Sequence, residues 1–186
     1  MNEENDIELE GCESCKAACP VRTDTRAYVD LIARGQYEKA FEKIRENNPF
    51  PSVCSLICHH PCEGECRRSY VDEAVALRNL KRFAVEQALQ HRRETRGPVP
   101  LTEDRSIGII GSGPAGLTAA HDCIKQGYPV TVYEQLPVVG GLLASTIPPY
   151  RLPEDALEQD IDDLLSLGIQ VETETEVGAD VSLEEL

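Results

Sequence analysis

Seven of the chain's eight cysteines fall within its first 66 residues, in two tight groups. The first, Cys12-Glu-Ser-Cys15-Lys-Ala-Ala-Cys19-Pro20, packs three thiols into one short loop. The second, Cys54-Ser-Leu-Ile-Cys58-His-His-Pro-Cys62-Glu-Gly-Glu-Cys66, sets four more at strict four-residue intervals. Thiolates grouped in this way hold iron–sulfur clusters, usually four to a cluster. A structural zinc site of four thiolates is the other chemistry open to such donors. Seven cysteines exceed one zinc site, which favours iron–sulfur. Pro61 and Gly64 disrupt any regular helix through the second group, so its cysteines are expected to wrap around something.

A second chemistry follows further along. Ser106-Ile-Gly-Ile-Ile-Gly-Ser-Gly-Pro-Ala-Gly-Leu117 is an apolar run, expected to be a strand buried on both faces over residues 107 to 110, that turns at glycines into a helix. Gly111, Gly113 and Gly116 have the G-x-G-x-x-G spacing of a dinucleotide-binding turn. Gly111 permits the turn, Gly113 lets backbone approach a pyrophosphate, and Gly116 lets helix pack close on strand. The helix N-terminus at Pro114 offers unpaired N–H groups to phosphate. Glu134 ends the next strand, Pro129 to Glu134, where an acid can accept from ribose hydroxyls. Gly140-Gly141-Leu142 then resembles a flavoprotein pattern more than a nicotinamide one, and the expected dinucleotide is FAD.

These sites need elements to place them. Thr23 or Asp24 can cap a helix carrying Tyr28, Leu31 and Ile32 inward and stopping at Gly35. Tyr37, Ala40, Phe41 and Ile44 fall on one face of a second helix, with Arg45 among the residues outside. Asn47-Asn-Pro-Phe-Pro51 breaks it. A long helix is expected over Asp72 to Gln90, with Leu77, Leu80, Ala84 and Ala88 on one side. A helix with Leu157, Ile161, Leu164 and Leu165 inward and a strand over 169 to 171 follow the glycine region. The expected organisation is an acidic tail (1–11), a helical iron–sulfur domain (12–91), a linker (92–105) and the first part of a Rossmann-like FAD-binding domain (106–186). The fold class is thus α followed by α/β. Two or three strands are too few for a whole doubly wound domain, so a longer protein is expected.

With 33 acidic and 18 basic residues the net charge is −15, which argues against nucleic acid or an anionic membrane as partner. Residues 154–186 hold acids and no Lys or Arg; a solvated helix face is favoured over a docking face for a basic partner. No run is long and apolar enough to span a bilayer, and the N-terminus lacks the pattern of a signal peptide. A cytoplasmic, reducing location is expected, and there cysteines serve as metal ligands rather than disulfides.

The order Cys-Pro, helix pair, Asn-Pro-Phe-Pro, Cys-x3-Cys, Pro-Cys-Glu-Gly-Glu-Cys, Leu-Lys-Arg-Phe and Gly-Ser-Gly-Pro-Ala-Gly resembles the NAD(P)H-dependent oxidoreductases typified by the glutamate synthase small subunit. It is similar also to the N-terminal region of dihydropyrimidine dehydrogenase. The resemblance implies that Cys19, Cys58, Cys62 and Cys66 hold one [4Fe-4S] cluster. It implies flavin contacts at Ser112, Gly113, Pro114, Ala115, Gly116, Glu134, Leu142 and Arg151, with Gly111 and Gly141 shaping the turns. Arg151 would meet the pyrophosphate, an ordinary surface Arg being its alternative.

The sequence also departs from the family. Its first group has three cysteines where the family has four, and Lys81 stands where some members supply a Gln or Glu as final cluster ligand; an ammonium has no free lone pair. A second cluster on Cys12, Cys15 and Cys54 is therefore open, and Cys54 is equally readable as core. His59 and His60 read as neighbours of the cluster rather than ligands, and Cys123 as a packed core thiol.

The resulting expectation is an oxidoreductase part in which FAD accepts a hydride and passes single electrons to a cluster, with NAD(P)H bound elsewhere and another redox subunit or domain as acceptor. No catalytic acid, base or nucleophile is nominated. The alternatives are an electron-relay or docking subunit without its own NAD(P)H site, and a zinc-stabilised nucleotide-binding module.

Overall fold

The computed structural model describes residues 14–91 and 97–184; the acidic tail, Cys12 and the first part of the expected linker lie outside the described residues. Its N-terminal part is helical: α1 (Ser14–Ala18), α2 (Thr25–Ala33), α3 (Tyr37–Arg45), α4 (Pro51–Ile57), α5 (Pro61–Gly64), a 3-10 turn (Arg67–Tyr70) and α6 (Leu77–His91). Asp24 caps α2 as expected, its Oδ1 accepting from the Ala27 N–H at 3.1 Å. Asn48 accepts from the Phe50 N–H at 3.1 Å, and Pro51 then starts α4 at a position where no N–H is needed. The second cysteine group is broken as its Pro and Gly require: Cys54 lies on α4, Cys58 is extended, Cys62 lies on α5 and Cys66 follows it.

Two expectations need correcting here. The long helix begins at Leu77 rather than Asp72. The Val75 N–H donates to Cys66 Sγ at 3.5 Å and the Arg78 N–H to Glu63 Oε1 at 2.8 Å, so the preceding segment is held against the cysteine loop. Glu63 thereby takes up an orphan N–H at the start of α6 from 15 residues away. Arg45, expected outside, is 1% exposed. Its guanidinium reaches Glu42 at 3.1 Å and Asp163 of the C-terminal half, and lies 4.9 Å from the Phe41 ring centre.

Helices α2, α3 and α6 close over Tyr28, Ala40, Ile44 and Ala84, with Phe41, Val85 and Ala88 alongside. The apolar stripes read from the sequence meet here, and burying each large side chain contributes on the order of 2 kcal/mol.

The C-terminal part is β1 (Ile107–Ile110), α7 (Pro114–Lys125), β2 (Val130–Tyr133), α8 (Leu142–Ser145), α9 (Glu154–Leu165) and β3 (Gln170–Glu172). The strands are parallel in the order β1-β2-β3, with Ile107 opposite Val130 and Thr131 opposite Gln170. This is the order of the first three strands of a doubly wound sheet. β1, expected to be buried on both faces, is not: Ile110 is 62% exposed. Among the described residues β1 is an edge strand paired with β2 alone, so part of its surface lacks cover.

The two halves share a core. Phe50 and Val53, around the start of α4, pack in one cluster with Leu117, Val132, Leu157 and Ile161. Asp160 on α9 accepts from the backbone N–H groups of Ser52 and Val53 at 3.2 and 2.9 Å. Lys125 Nζ donates to the Glu46 carbonyl at 3.0 Å. The described end of the expected linker also lies on the C-terminal half, with the Val99 N–H donating to the Leu167 carbonyl at 2.9 Å.

Candidate functional site

The thiols gather around Tyr28 and Lys81. Tyr28 is fully buried, its hydroxyl donating to the Leu77 carbonyl at 3.1 Å. Burial first, and then the thiols of Cys62, Cys15 and Cys19 with the Glu63 carboxylate, keep that hydroxyl protonated. Cys62 has Lys81, Cys19, Glu63 and Cys58 as electrostatic neighbours; burial pushes its thiol up to about 11, and Lys81 pulls the other way. Cys19 Sγ lies 3.7 Å from Thr23 Oγ1, and Cys15 Sγ lies 2.8 Å from Thr25 Oγ1.

Main-chain donors reach the sulfurs as well. The His60 N–H, from a residue in left-handed conformation, donates to Cys58 Sγ at 3.3 Å, as Val75 does to Cys66. Such bonds stabilise thiolates and tune the clusters they hold. The His60 ring pairs with Glu63 at 3.1 Å, and His59 is exposed. Cys66 and Cys15 open together onto one cleft of about 210 Å³ bordered by Thr25, Arg26, Val75 and Leu77.

Cys54 faces inward. Burial raises its thiol pKa, Lys81 opposes that, and Cys58, Asn48 and Asp160 are its other neighbours, while its side chain packs on the shared apolar core. Cys123 packs on the same core. The thiols are neighbours rather than a finished cage: among the described residues no three His, Cys, Asp or Glu side chains converge at metal-holding spacing. Soft donors, main-chain N–H groups on two sulfurs and a cation close by suit a thiolate-held, anionic metal group.

The glycine turn lies at the carboxyl end of β1. Gly111 has φ +93°, and a Cβ on Gly116 would lie 1.9 Å from the Gly111 carbonyl oxygen, so the close approach of α7 to the strand end requires glycine. Gly113 is the N-cap of α7 with no side-chain capping bond, and Pro114 opens the first turn, which leaves the N–H groups there for a ligand.

Glu134 ties this turn to β2. Its Oε2 accepts from the Ser112 N–H at 2.8 Å and the Ser112 hydroxyl at 2.6 Å, and its Oε1 from the Leu136 N–H at 2.9 Å. Burial alone would raise this carboxyl's pKa; the hydrogen bonds outweigh it and hold the group below its usual range. The second glycine pair joins the same knot, the Gly140 N–H donating to the Ser112 carbonyl at 3.1 Å and a Gly141 Cβ falling 2.8 Å from Gly113 Cα.

Gly111, Glu134, Gly141 and Leu142 border a cleft of about 400 Å³ that Leu136 and Val177 also line. Sequence reasoning missed those last two. Val177 is placed only by the pairing of β3, which brings the Thr175 N–H to the Glu134 carbonyl at 2.9 Å. Ser112 and Gly113 sit beside the cleft through Glu134 and Gly141, and Pro114 and Ala115 are exposed on α7. Arg151 is not brought in: it is exposed on the turn after Pro148 and borders no part of the cleft. No described helix is long and apolar enough to cross a membrane.

Residues 9–93 match the family model described as dihydropyrimidine dehydrogenase domain II, 4Fe-4S cluster, and residues 109–155 match an NAD(P)-binding Rossmann-like domain. Over 92% of its length the chain is 40% identical to NADPH-Fe(3+) oxidoreductase subunit beta of Geobacter sulfurreducens and 38% identical to NADP(+)-dependent formate dehydrogenase subunit beta of Moorella thermoacetica, covering 26% and 27% of those proteins. Over 91% of its length it is 34% identical to glutamate synthase [NADPH] small chain of Bacillus subtilis, covering 34% of it. The resemblance and the fold class expected from the motifs are borne out: a helical iron–sulfur domain precedes a Rossmann-like segment.

Proposed function

We propose that this chain, whose two modules are those of the iron–sulfur and dinucleotide-binding region of glutamate synthase small-chain-type enzymes, carries electrons between a nicotinamide-reduced FAD and a [4Fe-4S] cluster. The relatives named above are NADPH- or NADP-linked redox subunits by name, and electron delivery to another redox subunit or domain follows from that; a cytoplasmic setting, reducing enough to keep the thiols free for metal, goes with this reading. When bound, the flavin takes up an electron pair and releases single electrons that a cluster can accept.

The chain's own residues hold, space and shield these groups. Cys19, Cys58 and Cys62 would hold the cluster, with Cys66 as the fourth thiolate that the family resemblance supplies. A second cluster on Cys12, Cys15 and Cys54 with an unusual fourth ligand is the alternative; iron per chain, about four against about eight, decides between the two. Gly113 and the open N-terminus of α7 would receive the pyrophosphate, Glu134 a ribose hydroxyl, and the cleft beside Leu136 and Val177 the apolar base. Arg151 would have to swing toward the phosphates to contribute.

The observation that carries this reading is the shared core: α4, which leads into Cys58, is fastened by Asp160 of the dinucleotide-binding half. Thiols and glycine turn therefore belong to one packed body. Adding NAD(P)H anaerobically to the full-length protein and recording electron paramagnetic resonance tests it. A reduced-cluster signal is expected; a flavin that bleaches while the cluster stays silent would contradict it.

A further inference from the structure

Lys81 is 8% exposed on the face of α6 that also buries Leu77, Ala84 and Val85. Its ammonium forms no hydrogen bond or ion pair with any described residue, although carboxylates crowd the exposed surface around the helices. Enclosing a cationic side chain costs free energy unless negative charge lies near it. The charged neighbours it does have are the thiols of Cys54 and Cys62, on α4 and α5, and α4 packs directly on α6. A Leu or Met would complete that apolar face at no such cost. A group held by those thiols would place negative charge beside Lys81.

We propose that Lys81 is the fixed counter-charge of the thiolate-held cluster, adding no bond to iron but making the cluster easier to reduce. The inference rests on the iron–sulfur reading above. A cluster with its thiolates is anionic and gains one more negative charge when a single electron arrives from the flavin; no bond forms or breaks and no proton moves. An ammonium nearby stabilises the reduced state more than the oxidised one, which moves the midpoint potential in the positive direction. Where a ligating side chain would set the potential by donating electrons to iron, this chain sets it through space.

The test uses full-length protein purified without oxygen, as wild type, Lys81→Met and Lys81→Arg. Iron and sulfide per chain are measured first, then the midpoint potential by dithionite titration followed by electron paramagnetic resonance. Equal iron and sulfide in all three are expected, with a more negative midpoint in Lys81→Met and a midpoint near wild type in Lys81→Arg. An unchanged midpoint in Lys81→Met overturns the proposal, as does loss of the cluster from both variants, which would make Lys81 a ligand or a structural prop. Lys81→Leu, neutral and without a donor atom for iron, carries the same test if the Met variant does not fold, and its midpoint must also fall. A wild-type protein without iron would refute the iron–sulfur reading itself, an outcome distinct from either of these.

Discussion

The Asp160 carboxylate receives the backbone N–H of Val53 at 2.9 Å, one residue before Cys54. A side chain of the dinucleotide-binding half thus caps the helix that leads into the second cysteine group. Because Ser52 donates to the same carboxylate, and Pro51 has no N–H, the two first-turn donors of α4 left over are satisfied from the other half of the molecule. The distance between thiols and glycine turn is therefore set by a hydrogen-bonded joint.

That joint predicts a pH dependence. Burial pushes the Asp160 acid from 3.8 up to about 7, against the pull of the Val53 and Ser52 N–H groups and with the Asp163 charge adding to the rise. A raised value in the folded protein means that the protonated form is favoured there. The stabilising contribution is complete below about pH 4 and is lost as pH rises toward 7. The melting temperature of wild type relative to Asp160→Asn should therefore decline over that window, whereas parallel curves would show that Asp160 does not titrate in the fold.

Arg45 makes the second joint, through Asp163. Arg45→Met removes the guanidinium paired with Glu42 and Asp163 and should cost about 3 kcal/mol by denaturant unfolding. Converting Asp163 to Leu in the same protein should recover most of the loss. A double variant as unstable as the single one would mean that packing on Phe41, not charge, is what Arg45 provides.

Glu134→Gln replaces an acceptor of three hydrogen bonds with a group that must turn an amide toward at least one N–H donor. A loss of about 1–3 kcal/mol in stability is expected, together with weaker FAD retention. The stability loss should shrink in acid. The Glu134 carboxyl is held below its usual value, so its contribution is present above about pH 4.5 and fades as pH falls. Equal flavin content in variant and wild type would place the ribose contact elsewhere.

Gly116→Ala sets a methyl group against the Gly111 carbonyl and must force α7 off the strand. A cost of about 3 kcal/mol and loss of FAD are expected, with iron content unchanged, because the thiols lie in the other half. Flavin analysis beside iron analysis checks this, and a variant that kept its flavin would refute the close-approach role.

The glycine turn, the cap at Asp24, the break at Pro51 and the apolar stripes were legible because each depends on neighbours within a few residues. Cysteine spacing likewise indicated thiolate chemistry. Arg45, Glu63 and Asp160 were not legible: each is polar in a sequence window that reads as solvent-facing, and each acts on a partner 15 to 118 residues away. Ile110 looked buried because an apolar run cannot announce which of its faces will be covered. The early start expected for α6 failed because the helix-like pattern of 72–76 yields to bonds with Cys66 and Glu63.

The account depends on thiolate-bound iron and a flavin residing in one polypeptide. Iron, acid-labile sulfide, zinc and FAD per chain, measured on full-length protein purified without oxygen and repeated on Cys62→Ala, address it most directly. The expected result is iron and sulfide in equal amounts with about one FAD in the wild type, and loss of iron together with the broad absorption near about 400 nm in the variant. Zinc without sulfide, or a chain with neither iron nor flavin, would contradict it.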